Sequence, residues 1–152
     1  MSFPLTDFQM ECLGTIRALV ADKPWLPASY VMAHVRIESG WDPTIEAGDY
    51  AATGSVGLMQ VTAATARQFG YDPAEQTDPV KSLAAGIAYI DWARTYLMKA
   101  WGFKETILYH PVCISYNQGV GNTVRGNQDP RYFLKWGAAQ QGYAFVDMAA
   151  KC

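Results

Sequence analysis

The chain has 152 residues, half of them hydrophobic and 17% charged, which fits one compact domain with a sizeable core. Twelve Lys and Arg against fourteen Asp and Glu leave a formal net charge of -2, so there is no basic excess to bind nucleic acid or an anionic membrane. No segment reaches the roughly 18 consecutive apolar residues of a membrane span, and Cys12, Cys113 and Cys152 are too few and too irregularly spaced for a disulfide framework or a zinc site.

In chain order, Thr6-x-x-Gln9 has capping-box form. Phe8, Cys12, Leu13, Ile16, Leu19 and Val20 then recur at helical spacing until Lys23-Pro24-Trp25-Leu26-Pro27 breaks the first predicted helix. A second helix starts at Pro27, carries Glu38 at its end and stops at Gly40. From Gly40 to Gly57 no period is clear, and an irregular loop or a short hairpin is expected. A third helix is predicted over Thr62 to Phe69, with Gly70 as its stop signal. Asp78-Pro79 then caps and opens a longer helix with Val80, Leu83, Ile87, Ile90 and Leu97 on one stripe before Gly102. Further helices are expected over Val112 to Tyr116, ended by Gln118-Gly119-Val120-Gly121, and from Tyr132 to Trp136 or beyond, with Pro111 marking a helix start or kink. With sparse strand signals and no repeat or linker, residues 1–152 read as a single, mainly α domain with few or short strands, whose interhelical loops shape a cleft.

One carboxylate stands in an unusual place. Tyr30, Val31, His34, Ile37 and Glu38 share a face of the second helix, so Glu38 points where a helix normally buries apolar side chains. Burial of a carboxyl favours its protonated form, the state a general acid requires near neutral pH. The competing reading of position alone is a glutamate that closes the last turn with its side chain in water.

Three segments add to this position: Glu38-Ser39-Gly40, Gly57-Leu58-Met59-Gln60 with Val61, and Ser115-Tyr116-Asn117-Gln118-Gly119. Pro43, Asp78-Pro79 followed by Gly86-x-x-Tyr89, and Val120-Gly121-Asn122 accompany them. In this order and at these separations they resemble the soluble lytic transglycosylases, relatives of goose-type lysozyme in the lysozyme-like superfamily, over about residues 28–125. The resemblance implies a lysozyme-like domain with a substrate cleft that acts on peptidoglycan strands without a cofactor. Glu38 would protonate the glycosidic oxygen between N-acetylmuramic acid and N-acetylglucosamine, then take the proton of the C6 hydroxyl as a 1,6-anhydro ring closes. By the same resemblance Ser39 would orient Glu38, unless it is only a helix-end hydroxyl bonding its own backbone. Met59 and Gln60 would line the cleft beside the acetamido groups, unless Met59 is simply core, and Gly57 would permit a close backbone approach unless it is an ordinary turn glycine. Tyr116 would donate its phenolic hydrogen to Glu38, and Asn117 would bond a sugar or fix its loop. Trp41 is expected mainly to pack the core.

The sequence departs from the family pattern in places. The stretch from Glu38 to Gln60 is some four residues longer than usual, Ala51 or Ala52 falls where a serine is common, and Ser82 stands where asparagine is frequent, a change expected to affect helix packing more than chemistry. The longer loop holds Asp42, Glu46 and Asp49. Asp49 is the choice among them for a second carboxylate that would activate water, the alternative being a muramidase that hydrolyses the bond, or else a solvated loop charge.

His34 and Glu38 stand four apart, a spacing that can hold a metal, but no third ligand is evident and a core histidine is the better reading. Quiet buried thiols are expected at Cys12 and Cys113, although a Cys/His pair with His34 or His110 is formally open. A non-catalytic glycan-binding or structural protein is the alternative of another class. The first residues, Met1-Ser2-Phe3-Pro4-Leu5-Thr6-Asp7, lack the pattern of a secretory signal. Because peptidoglycan lies outside the cytoplasmic membrane, delivery by phage lysis, in a virion or by a specialised secretion machine is expected, with a phage endolysin slightly favoured. No membrane insertion and a monomer are expected.

Overall fold

A computed structural model describes residues 2–102, 109–126 and 130–149. The first helix, α1 (Asp7–Val20), opens with the expected capping box: the Thr6 hydroxyl accepts from Gln9 N–H while the Gln9 side chain accepts from Thr6 N–H. The second, α2 (Ala28–Ser39), follows Pro27 and ends at Gly40 in the left-handed conformation. Its burial exceeds what an amphipathic stripe implies. Every residue from Ala28 to Val35 is buried, so α2 is the enclosed central helix, and only from Arg36 onward does it approach solvent.

The irregular stretch that follows folds as a small antiparallel sheet of β1 (Glu46–Ala47), β2 (Ser55–Val56) and β3 (Val61–Thr62), in that order. Val56 faces both Glu46 and Val61 across the two ladders, which makes the hairpin option the observed one. Helix α3 (Ala63–Gln68) is capped by Thr62, whose hydroxyl accepts from Thr65 N–H, and a 3-10 turn at Pro73–Glu75 leads on. Then α4 (Pro79–Trp101) runs from its Asp78 cap to Gly102. Leu83, Ile87, Ile90 and Leu97 are buried as their spacing predicts, but Val80 is 52% exposed. Val80 lies in the first turn, and periodicity says which side of a helix faces inward but not how far its neighbours extend along it.

Helix α5 (Tyr109–Gln118) carries Pro111 in its first turn, where a missing N–H costs no intrahelical bond. The glycines after it divide two helices instead of ending the helical region: Gly119 turns the chain at φ +84° and α6 (Val120–Val124) follows at once. The last predicted helix is α7 (Pro130–Tyr143), and α8 (Phe145–Ala149), which had no signal in the sequence, packs after it. One core joins α1, α2, α4, α5 and α7, with Cys12 and Cys113 buried in it as free thiols; Cys152 and the side chain of His110 lie outside the described residues. Among the described residues no helix is long and apolar enough to cross a membrane.

Two glycines test separate demands of this chain path. Gly40 has φ +60° with open space around a would-be Cβ, whereas Gly57 has φ +84° and a Cβ there would lie 2.1 Å from the Gln76 carbonyl oxygen. Gly40→Ala is expected to cost only the left-handed backbone penalty of about 1 kcal/mol. Gly57→Ala adds a backbone collision and is expected to cost on the order of 3 kcal/mol or more. Urea denaturation of the two variants measures the difference, and equal midpoints would contradict the close approach at Gly57.

Candidate active site

The last turn of α2 brings Glu38 out of the core into a hollow of about 500 Å³ that it shares with Ile37, Asn117, Arg131, Tyr132 and Lys135. Its carboxyl remains half-buried, and the hydroxyl of Tyr132, from the start of α7, donates to Oε1. Loss of water around the carboxyl raises its pKa from 4.5 to about 7, and the Tyr132 hydrogen bond opposes that rise by favouring the carboxylate. Burial and the neighbouring carboxylate hold the phenol of Tyr132 well above its ordinary range, so it stays a donor.

Tyr116 does not make the expected bond to Glu38. Its hydroxyl donates instead to the Met59 carbonyl at 2.5 Å, and its ring stands edge-on to Tyr89 with centroids 5.4 Å apart. The group that does bond Glu38 is Tyr132, which the sequence offered only as the start of a helix. Ninety-four positions separate the two residues, and no local pattern distinguishes this tyrosine from the eight others. The general rule that a carboxyl on an apolar face needs a buried donor was the only available signal.

Met59 takes the core position, the alternative to a place along the cleft. Its side chain is fully buried, packed against α4 where Gly86 leaves no Cβ in its way, so it lies in the core and not along the cleft. The Ser82 hydroxyl, standing where the family often has asparagine, accepts from Met59 N–H at 3.1 Å. Met59 therefore ties α4, through Ser82, to α5, through Tyr116.

Gln60 reaches the cleft side, but its amide is engaged within the protein. Nε2 donates to Ile45 and Gly57 carbonyls, both at 3.0 Å, and Oε1 accepts from the Ser55 hydroxyl at 3.0 Å. These bonds fasten the turn that holds Gln60 at φ +49° and join all three strands' flanks. With Val61, Thr62, Thr65, Tyr89 and Tyr116 it lines a second hollow of about 170 Å³. Tyr116 on this side and Asn117 on the Glu38 side are adjacent on α5, so the two hollows flank one helix. A larger hollow, between α1, the start of α2, α7 and α8, contains neither Glu38 nor any motif residue.

Ser39 takes the helix-end role. Its hydroxyl donates to Val35 carbonyl at 3.0 Å and accepts from Trp41 N–H at 3.2 Å, with no bond to Glu38. Trp41 packs in the core and donates from Nε1 to the Tyr143 hydroxyl at 2.8 Å. Asp49 lies in an exposed turn, where its carboxylate accepts from Ala51 N–H at 3.0 Å, outside the hollow around Glu38. Asp42 likewise accepts from Thr44 N–H and hydroxyl. His34 is fully buried beneath Glu38, with Nδ1 3.1 Å from the Tyr132 hydroxyl, and burial drives its pKa down to about 3. Among the described residues no three His, Cys, Asp or Glu side chains gather as a metal site.

The profile described as Transglycosylase SLT domain matches residues 18–136. Over 54 residues, 36% of this chain and 10% of the relative, the sequence is 44% identical to the membrane-bound lytic murein transglycosylase F of Maricaulis maris (strain MCS10). The fold is similar to the 70 kDa soluble lytic transglycosylase from Escherichia coli, with a TM-score of 0.52 and 23% identity over 84% of this chain and 21% of that one. A complex of the 70-kDa soluble lytic transglycosylase with bulgecin A gives a TM-score of 0.56 at 23% identity, over 88% and 22%. The chain thus spans about a tenth of the curated relative and about a fifth of the solved enzyme.

The raised pKa of Glu38 has a direct cost in stability. The folded state holds the proton more tightly than the unfolded one, so the stabilising contribution is full below pH 4.5 and lost as the pH rises through about 7. Glu38→Gln, which cannot ionise, is expected to be more stable than wild type at pH 8 by about 1–3 kcal/mol. The gap should close towards pH 4. Urea denaturation at the two pH values checks this, and a wild type at least as stable as the variant at pH 8 would contradict the buried carboxyl.

Proposed function

Because the chain belongs to the Transglycosylase SLT domain family, we propose that it cuts the bond between N-acetylmuramic acid and N-acetylglucosamine in peptidoglycan by intramolecular transfer, with Glu38 as its general acid and base. The observation that carries this reading is the half-buried Glu38 carboxyl, its pKa raised to about 7 at the edge of an open hollow. Below that pH the group holds a proton it can give to the glycosidic oxygen, and the bond to the anomeric carbon breaks as positive charge spreads over the ring oxygen.

The carboxylate left behind is favourable in two ways. It accepts the Tyr132 hydrogen bond, and its negative charge faces the oxocarbenium-like sugar. It then removes the proton from the C6 hydroxyl of the muramic acid, whose oxygen attacks the anomeric carbon and closes the 1,6-anhydro ring. The Glu38 proton is regained in that step, so the cycle consumes no water and draws on no metal.

Asp49 is spent on its own turn, which favours the one-carboxylate route over a water-activating pair. The remaining motif residues take supporting parts in this reading. Asn117, exposed in the Glu38 hollow, would reach a sugar substituent, while Tyr116, Met59 and Gln60 would hold the wall on which the glycan lies. These parts come from α2, α5, α7 and the turn between β2 and β3, which is bonded to α4 through Ser82 and to α5 through Tyr116.

Mass spectrometry of muropeptides released from purified peptidoglycan tests the proposal. Wild type is expected to leave anhydro-muramic ends, lighter than reducing ends by one water. Glu38→Gln should slow release by about 10²-fold or more, and Asp49→Asn should retain most of the wild-type rate. Release by wild type should fall as the pH rises through about 7 and Glu38 loses its proton. Reducing ends from wild type, or full activity in Glu38→Gln, would overturn the assignment.

A further inference from the structure

Resting on the assignment of Glu38 as the acid, we propose that His34 is a positioning residue that acts through Tyr132: its Nδ1–H donates to the Tyr132 hydroxyl and commits the phenolic proton to Glu38. His34 is buried completely, one helical turn before Glu38 on α2, with its Nδ1 3.1 Å from the Tyr132 oxygen. The rings of Tyr30, Tyr116 and Trp136 surround it at centroid distances of 5.1, 4.7 and 6.0 Å. Tyr132, arriving from α7, thus bridges two residues of one helix face. A histidine that only filled space would have no reason to aim a nitrogen at the one hydroxyl that holds the acid.

The direction of the chain of hydrogen bonds follows from counting protons. The Tyr132 hydroxyl has one hydrogen, and it goes to Glu38 Oε1. Its oxygen can therefore only accept from His34, so the hydrogen of the neutral imidazole resides on Nδ1. That leaves Nε2 bare, and Nε2 is the buried ring nitrogen with no partner among the described residues. The opposite tautomer would bury an N–H with no acceptor and present two lone pairs to each other at Tyr132, two faults in one arrangement. Burial also keeps the imidazole neutral at any pH where the enzyme would work, so it contributes a fixed dipole and not a charge.

The consequence for Glu38 has a definite sign. A donor behind the phenol polarises its O–H towards the carboxylate, which strengthens the bond that favours the ionised form. The other groups facing Glu38 are Arg131 and Lys135 from α7 and Cys113 and Tyr116 from α5. His34→Phe leaves all of them in place and keeps an aromatic ring in the stack.

The closing experiment reads Glu38 directly, by carbon-13 NMR titration of its carboxyl, assigned through its absence in Glu38→Gln. Nitrogen-15 shifts report the His34 tautomer in the wild-type protein, where no variant need fold. The expected result is an Nδ1–H tautomer, and a Glu38 midpoint that rises by about half a unit in His34→Phe and by more in Tyr132→Phe. His34→Asn, which keeps an amide N–H near the Nδ1 position, should restore most of the wild-type midpoint, and His34→Phe should add nothing in the Tyr132→Phe background. The high-pH limb of turnover should move with the midpoint. An Nε2–H tautomer, an unchanged midpoint in His34→Phe, or the same shift with and without the Tyr132 hydroxyl would each overturn the proposal. Absence of turnover in wild type alongside an intact midpoint shift would instead count against the glycosidase reading alone.

Discussion

The rest of the structure depends on a carboxyl group placed at the end of an enclosed helix. Such a group has two unfavourable options, to ionise without water or to hold its proton far from solvent, and a neighbouring helix must supply what water does not. Here α7 supplies it through Tyr132, so α7 has to cross α2 at one place. Its crossing is locked by Trp136, which stands edge-on to Tyr30 with centroids 4.7 Å apart and donates from Nε1 towards the Tyr30 carbonyl at 3.4 Å. The other end of α2 is fixed by the same C-terminal region. Asp147 of α8 accepts from Ser29 N–H at 3.0 Å and from the Ser29 hydroxyl, which sets a negative charge against the positive end of the helix dipole. The segment after residue 130 therefore clasps α2 at both ends, and the position of Glu38 is the outcome.

The second constraint is the strut formed by residues 57–60. Gly57 allows the backbone to approach the Gln76 carbonyl, Gly86 allows Met59 to lie flat on α4, and Ser82 and Tyr116 bond the two sides of the Met59 peptide. Each of these is a contact between motifs distant in the sequence. Their residue types are demanded by closeness: glycine where a Cβ would collide, a hydroxyl where a buried N–H or carbonyl needs a partner. Met59 and Gln60, adjacent in the linear motif, are joints between the sheet and the helices α4 and α5.

This explains what could be read from the chain alone. Helix ends were legible because their signals are local: Thr6 with Gln9, Asp78 before Pro79, Gly40 and Gly102 each act within a few residues. Glu38 was legible because a charged residue on an apolar face violates a periodic pattern. The partner of Glu38 was not, since any of nine tyrosines could have reached it and the winner is set by how α7 packs. The enclosure of α2 on all sides was missed for a related reason: Met32, Ala33 and Val35 are buried by α1, α7 and α8 together, and burial by several elements leaves no single stripe to count. Helix α8 is five residues long and depends on tertiary contact, below the length at which periodicity carries information.

A group that must act first as an acid and then as a base needs a pKa between the two extremes its surroundings could impose. Deeper burial would strengthen the hold on the proton and leave a carboxylate too costly to form; free access to water would return the group to its ordinary range, ionised before the substrate arrives. At Glu38 desolvation pushes upward and the Tyr132 hydrogen bond pushes back, and the balance falls near 7. Those two influences come from different helices, α2 by its enclosure and α7 by its hydroxyl, so the balance is a property of their packing and not of either segment. A shift of α7 by a fraction of an ångström would alter the hydrogen bond before it altered the burial. The aromatic contacts that hold α7 against Tyr30 and His34 are thus as much a part of the proposed acid as the carboxyl itself.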